Sequence, residues 1–321
     1  MGNSLFAEHS TSKNHLNPSF SGHQTFPFRY TWLKKGVDAV MDNPNVFTDD
    51  DAPVTLGVGK NMVRSIRHWC LTANLIKKIG KSSDHSEGFE AADFGKVIFD
   101  DQKGRDKYLE NPVTLWWIHW QIATNREHAA TWCWAFNFVN YPEFSRDSLM
   151  KDLTDWIKQQ EYIRKQPSEN TIKHDVSCFI RTYCLSRSTV STIIEDTFDC
   201  PLVELDLIRE VPNENRYQFN LGAKPSLNEP MLAFAITDFW NRWFPNNRNT
   251  LSVSEIMYSK FSPGQVFKLD ENSVVMCLEK LQAITEGAMT YDETAGLKQI
   301  SRHENLDLLE LLKKVYEQNT I

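Results

Sequence analysis

The pattern of apolar and polar positions divides the chain into short helices separated by a few β-type stretches. It predicts a first helix from Tyr30 to Val40. Asp51 is placed to cap a short helix that carries Pro53 in its first turn and ends at Gly57. Gly57-Val58-Gly59 reads as a tight turn, and a longer helix follows from Lys60 to Ala73. Two β-type stretches, Leu75 to Ile79 and Gly95 to Phe99, are then expected to pair as a hairpin. Helix, helix, glycine turn, helix and hairpin is the order of a winged helix, and it contains a helix-turn-helix.

The segment Asn111 to Val139 is apolar nearly throughout and carries Trp116, Trp117, Trp120, Trp132 and Trp134, so it reads as two buried helices ended by Tyr141-Pro142. Ser145 is placed to cap a helix through Gln159, and Ser168 another from Glu169 to Cys184. Leu202 to Val211 and Tyr217 to Leu221 flank a Pro-Asn-Glu-Asn turn and suggest a hairpin. The last third gives helices over Pro230 to Trp243, Ser252 to Tyr258 and Asn272 to Ala283. Gly287 to Tyr291 and Gly296 to Ser301 would form a second wing. The expected fold is mainly α with small β-hairpins, an α+β protein built of winged-helix-like units. The expected division is a loose arm over 1–20, a DNA-binding unit over 21–110, an aromatic helical unit over 111–225 and a second winged unit over 226–321.

The 321 residues include ten Trp and nineteen Phe, so large rings should fill the core. None of the six Cys stands in C-x-x-C spacing, which disfavours a structural zinc site and suits buried thiols in a reducing, cytoplasmic setting. No run of eighteen apolar residues suggests a membrane span. Net charge is −7, yet the window from Ala52 to Ser83 holds six Lys or Arg and no Asp or Glu. The local distribution governs binding more than the sum does.

Within that window Val63, Ile66, Cys70 and Ala73 share one helix face, while Lys60, Arg64 and Arg67 share a neighbouring one. Such a stripe at the start of a helix suits phosphates and base edges, with Asn61, His68, Lys77 and Lys78 as further candidates for contact. The plainer alternative is a solvated basic face. Gly57-Val58-Gly59-Lys60 lacks the spacing of a phosphate loop. Asp93-x-x-Lys96, on what reads as a strand, is too short to define a nuclease. His174 and Asp175 are adjacent on a helix and do not face each other. In Ser21-Gly22-His23-Gln24-Thr25-Phe26-Pro27-Phe28-Arg29-Tyr30, His23 is a candidate general acid or base and Arg29 a candidate phosphate clamp. The alternative there is an N-terminal clasp in which both side chains make only structural hydrogen bonds.

Gly22-His23-x-Thr25-Phe26-Pro27-x-Arg29-Tyr30-x-Trp32-Leu33, followed by Leu56-Gly57-Val58-Gly59-Lys60-Asn61-Met62-Val63, resembles a bacterial family of formerly unknown function, the SspB family of the single-stranded DNA phosphorothioation (Ssp) system. Asp175 to Tyr183, Leu202 to Leu205, Phe267 to Asp270 and Thr294 to Leu297 extend the resemblance over about residues 20–303. It implies a protein that nicks double-stranded DNA so that sulfur can replace a non-bridging phosphate oxygen, in a system used against phage. It also implies partner proteins, namely an ATP-pyrophosphatase-like sulfur-transfer protein, a cysteine desulfurase and an ATPase. Strand cleavage would call for a divalent cation, Mg or Mn, and no organic cofactor is expected. The roles given to His23 and Arg29 come from the residues themselves. A non-catalytic winged-helix adaptor that recruits the sulfur-transfer proteins to DNA is the competing expectation, and a homodimer remains open.

Overall fold

The computed structural model describes residues 18–80, 87–184, 200–244 and 248–317. Helices dominate these residues, and the strands form three small antiparallel sheets of two or three members. The fold is α+β.

Residues 1–17 of the expected arm lie outside the described residues, and Pro18 and Phe20 at its end are already buried in the core. Helix α1 (Tyr30–Asp42) packs on α3 (Lys60–Thr72), with the short α2 (Ala52–Leu56) between them in sequence. Gly57 ends α2 in the left-handed conformation at φ 60, which a residue without Cβ adopts at least cost. Strand β1 (Ile76–Ile79) pairs with β2 (Gly88–Ala91), and Ile76 faces Ala91 in register.

That pairing corrects the expected hairpin. Gly95 to Phe99 is not its second strand but lies in helix α4 (Asp93–Phe99). A short apolar run fits either period, and packing decided here. Gly95 sits against the backbone of Leu75, where an added Cβ would come 2.3 Å from the carbonyl oxygen. The helix can therefore lie directly on the start of β1. Asp93 and Lys96 are then one turn apart on α4, 3.9 Å from each other, and not on a strand.

Helices α5 (Pro112–Thr124) and α6 (Ala130–Phe138) form the aromatic centre, with every residue of α5 after Pro112 buried. Asn111 caps α5 by accepting from Val113 N–H. Buried indoles need an acceptor, and two of these find one: Trp120 donates to Asp238 Oδ2 at 2.7 Å and Trp116 to Ser226 Oγ at 3.0 Å. Strand β3 (Glu143–Phe144) leads into α7 (Arg146–Lys158), whose Ser145 cap forms a reciprocal pair with Ser148. Helix α8 (Glu169–Tyr183), capped by Ser168, lies across α6 and α7.

Leu202 to Leu205, read as the start of a strand, lies in a 3-10 turn, Pro201–Leu205, that ends at Asp206 with φ 50. Pro201 opens that turn because it has no N–H to donate to a ladder. The strand is shortened to β4 (Ile208–Val211), which pairs with β5 (Arg216–Phe219), and β5 also carries β3 on its other edge.

Helix α9 (Glu229–Trp243) contacts α5, and β6 (Thr250–Ser252) with α10 (Val253–Tyr258) follows it. Helix α11 (Pro263–Phe267) ends at Lys268 with φ 54. The single helix expected over Asn272 to Ala283 is broken into α12 (Glu271–Leu278) and α13 (Leu281–Ile284). Strands β7 (Met289–Thr294) and β8 (Leu297–Arg302) pair as expected, and β6 joins them on the far edge of β8. The last helix, α14 (Leu308–Glu317), packs on α9 and α4. Tyr316 on α14 meets Thr114 at 2.9 Å, and Thr114 donates to Asp106 at 2.5 Å. One cluster of buried side chains runs from Phe20 to Tyr316.

Candidate nucleic-acid interface

Helix α3 carries the site. Its N-cap is Gly59, extended at φ −67 and ψ 156, and its first turn holds no acidic residue. Its leading N–H groups and the positive end of the helix dipole suit an anion. Nothing lies within 4 Å of where a Cβ would stand on Gly57 or Gly59, so the turn before α3 is open. Val63, Ile66, Trp69 and Cys70 anchor the inner face, which leaves Lys60, Asn61 and Arg64 exposed and Arg67 half-buried. Arg67 lies 6.0 Å over the ring of Phe89 on β2. Among the described residues no carboxylate pairs with Lys60, Arg64 or Arg67. Three cations at i, i+4 and i+7 thus form one line along the helix.

Lys77 and Lys78 on β1 are also exposed, but each meets a carboxylate: Lys77 stands 3.1 Å from Glu90 and Lys78 2.6 Å from Glu87. Both are surface pairs that a phosphate could displace at small cost. A cleft of about 510 Å³ opens beside them, lined also by Leu71 of α3, Asn74 just after that helix, Arg126, Glu127 and Arg242.

His68 does not belong to this exposed set. It is 7% exposed, turned inward at 5.1 Å from the Trp69 ring, and burial pushes its proton affinity well below that of a free histidine. A neutral, covered ring contributes nothing to a phosphate. The inward face of α3 is wider than periodicity suggests because the segment before α1 covers it. Gly22 presses directly on the His68 ring.

His23 is 2% exposed. Its Nε2 faces Asp175 on α8, and Thr131 on α6 donates to the other oxygen of the same carboxylate. The Thr25 N–H points at His23 Nδ1 at 3.0 Å, so Nδ1 accepts and Nε2 carries the proton given to Asp175. Burial resists a charge on either group: it raises Asp175 despite His23 and Thr131, whereas at His23 burial lowers the proton affinity but Cys178 and Asp175 outweigh it and hold the ring above a free histidine. Trp69 donates to Phe26 O at 2.9 Å, and Arg181 donates to Thr25 O. The Gly22–Phe28 segment is thereby fastened to α3, α6 and α8. This is the clasp arrangement. A general acid must reach its substrate, and the closed clasp gives His23 no route to one. Arg29 is half-buried at the N-cap of α1, 5.5 Å from the centre of the Trp32 ring.

Among the described residues, no group of three or more His, Cys, Asp or Glu converges as a metal cage. All six Cys are buried thiols outside any disulfide.

The chain is thus a mainly helical protein that exposes a line of cations on one helix, with no carboxylate partner among the described residues. Residues 20–316 match the family described as "Protein of unknown function (DUF4007)", and the chain belongs to that family. It is also similar to two solved structures. The first, described as "Magnesium ion-bound SspB crystal structure", is 28% identical with a TM-score of 0.83. The second, described as "SspB crystal structure", is 27% identical with a TM-score of 0.82. Each likeness covers 94% of this chain and 87% of the other. No curated protein matches the chain.

Proposed function

We propose that this chain is a DNA-binding component of a cytoplasmic DNA phosphorothioation system that defends against phage, and that it nicks duplex DNA to open a strand for sulfur transfer. The likeness to SspB along nearly the whole chain supports membership of the system. The observation that carries DNA binding is the line of Lys60, Arg64 and Arg67, exposed or half-exposed and without carboxylate partners. The order α1, α2, α3 and the β1–β2 hairpin supports a winged-helix docking mode, with α3 in the major groove and the hairpin beside it. Lys60 and the open glycine turn then meet the phosphate backbone, and Asn61, Arg64 and Arg67 are the side chains that reach base edges.

Nicking rests on the likeness alone. Mg or Mn is the cation expected, since one of the similar SspB structures is described as magnesium ion-bound. No ligand set is assigned here, because the described residues offer no convergent cluster. The burial of His23 favours a second reading, in which the chain is a non-catalytic adaptor that delivers the sulfur-transfer protein and the ATPase to DNA.

The binding claim is tested by measuring duplex affinity against salt by fluorescence anisotropy. Each phosphate neutralised contributes about −0.9 to the slope of log K on log salt. The Lys60/Arg64/Arg67→Ala variant loses the one phosphate contact given to Lys60, which should flatten that slope by about 0.9. An unchanged slope in a folded variant would remove α3 from the interface.

A further inference from the structure

The sheet of β6, β8 and β7 leaves one long edge open, because β7 pairs with β8 on one side only. Ala295 and Gly296 turn the hairpin with φ 53 and 81, a two-residue turn of type I′. Such a turn makes Thr294 and Leu297 a hydrogen-bonded pair, so along β7 the bonded positions are Thr294, Asp292 and Thr290. The far end of the ladder agrees: Arg302, opposite Met289, gives its N–H to Asn249 O beside β6 at 2.8 Å. The N–H and C=O groups of Met289, Tyr291 and Glu293 therefore point away from the sheet. Thr285 Oγ1 satisfies both at Met289, 3.0 Å from the nitrogen and 3.3 Å from the oxygen. Those of Tyr291 and Glu293 meet no partner among the described residues.

The charge around that edge is negative. Asp292 and Glu293 are exposed on β7, and exposed Glu279, just after α12, lies within electrostatic reach of Tyr291. Tyr291 donates its hydroxyl to Glu293 at 3.2 Å, and Thr294 donates to Asp292 at 2.8 Å. Lys298 on β8 is the cation that faces them, and Glu271 already holds it at 3.0 Å. Arg302, at the far end of the hairpin, is turned to Asn241 and the Trp240 ring. Glu271, Glu279, Asp292 and Glu293 thus stand against one ammonium.

We propose that β7 takes up an extended, basic segment of a partner protein as the next strand of this sheet. Backbone groups on an open edge bind another backbone, which makes the ligand an extended chain. The carboxylates then select for Lys or Arg. They also reject two other occupants. A second copy paired antiparallel through Tyr291 and Glu293 would bring the two Asp292 carboxylates face to face, and a nucleic acid would bring phosphates to the same acidic edge. Nothing in this edge depends on DNA binding by α3.

The test uses the full chain and a short peptide of alternating Lys and Val in three forms: unmodified, methylated at every backbone nitrogen, and with Glu in place of Lys. The methylated form keeps the charge and loses the donors; the Glu form keeps the donors and reverses the charge. By fluorescence anisotropy the unmodified peptide should bind at least tenfold more tightly than either. Amide exchange at Tyr291 and Glu293 should slow when it binds. Glu293→Ala removes a charge, whereas Glu293→Pro also removes an outward N–H without touching the β8 ladder. The Pro variant should therefore bind several-fold more weakly than the Ala variant. The proposal is overturned if wild type binds no form, if the methylated or Glu peptide binds as the unmodified one does, if the two amides exchange unchanged, or if Glu293→Pro matches Glu293→Ala. A dimer in sedimentation that Glu293→Pro dissociates would also overturn it, in favour of a second copy.

Discussion

Gly22 gives the sharpest test of the clasp. A Cβ added there would stand 2.2 Å from His68 Nδ1, 2.7 Å from Cε1 and 3.0 Å from Cγ. The far group is a buried ring and not a flexible tip. His68 is packed at 5.9 Å from His23 and 5.1 Å from Trp69, and Thr72 approaches its Nε2 at 3.5 Å. The ring therefore cannot swing aside without unseating its neighbours. Overpacking of this kind costs about 1–3 kcal/mol. Gly22→Ala should lower the urea midpoint accordingly, followed by circular dichroism and tryptophan fluorescence. Gly80→Ala is the control, since its Cβ would meet nothing within 4 Å. His68→Ala removes the obstacle, so the Gly22→Ala cost should largely vanish in the double variant. Contacting residues couple by about 0.5–3 kcal/mol in such cycles. Strict additivity of the two substitutions, or a Gly22→Ala midpoint equal to wild type, would refute the packing argument.

Other outcomes follow from the same geometry. Asp175→Asn removes a buried partner of both His23 and Thr131, and loss of one member of a buried pair costs about 3–5 kcal/mol; a thermal midpoint within a degree of wild type would contradict this. Lys268 is buried, donates to Phe136 O at 2.8 Å, and is lowered by burial from 10.5 to about 7. Between those values the unfolded chain holds a proton that the folded chain lacks, so this residue makes stability rise with pH from about 7 to 10.5, and its cost is fully present below 7. The stability of Lys268→Met relative to wild type should therefore fall as pH rises from 7 to 9 in urea titrations, and a constant difference would show that Lys268 is not depressed.

The parts of the fold legible in the sequence are those fixed locally. Helix α3 was readable because its apolar positions repeat at helical spacing and Gly57 and Gly59 punctuate its start. Ser145 and Ser168 marked the starts of α7 and α8 because a side-chain cap acts within three residues. What was not legible depends on partners distant in sequence. Gly95 to Phe99 satisfies both periods, and only contact with Leu75 makes it a helix. Asp175 was judged beside His174, its neighbour in sequence, whereas its partner His23 lies 152 residues away. His68 reads as exposed on α3 taken alone, yet the Gly22 segment covers it.

The central claim is that the α3 face brings DNA to a protein that cuts one strand. A supercoiled plasmid incubated with and without Mg²⁺ or Mn²⁺ tests it most directly, using wild type and the Lys60/Arg64/Arg67→Ala variant. Wild type with the cation should convert the plasmid to open circle, and the variant should convert little or none. If neither protein nicks while wild type alone shifts the plasmid on a gel, the adaptor reading replaces the nickase. If both proteins nick equally, α3 is not the surface that holds the DNA.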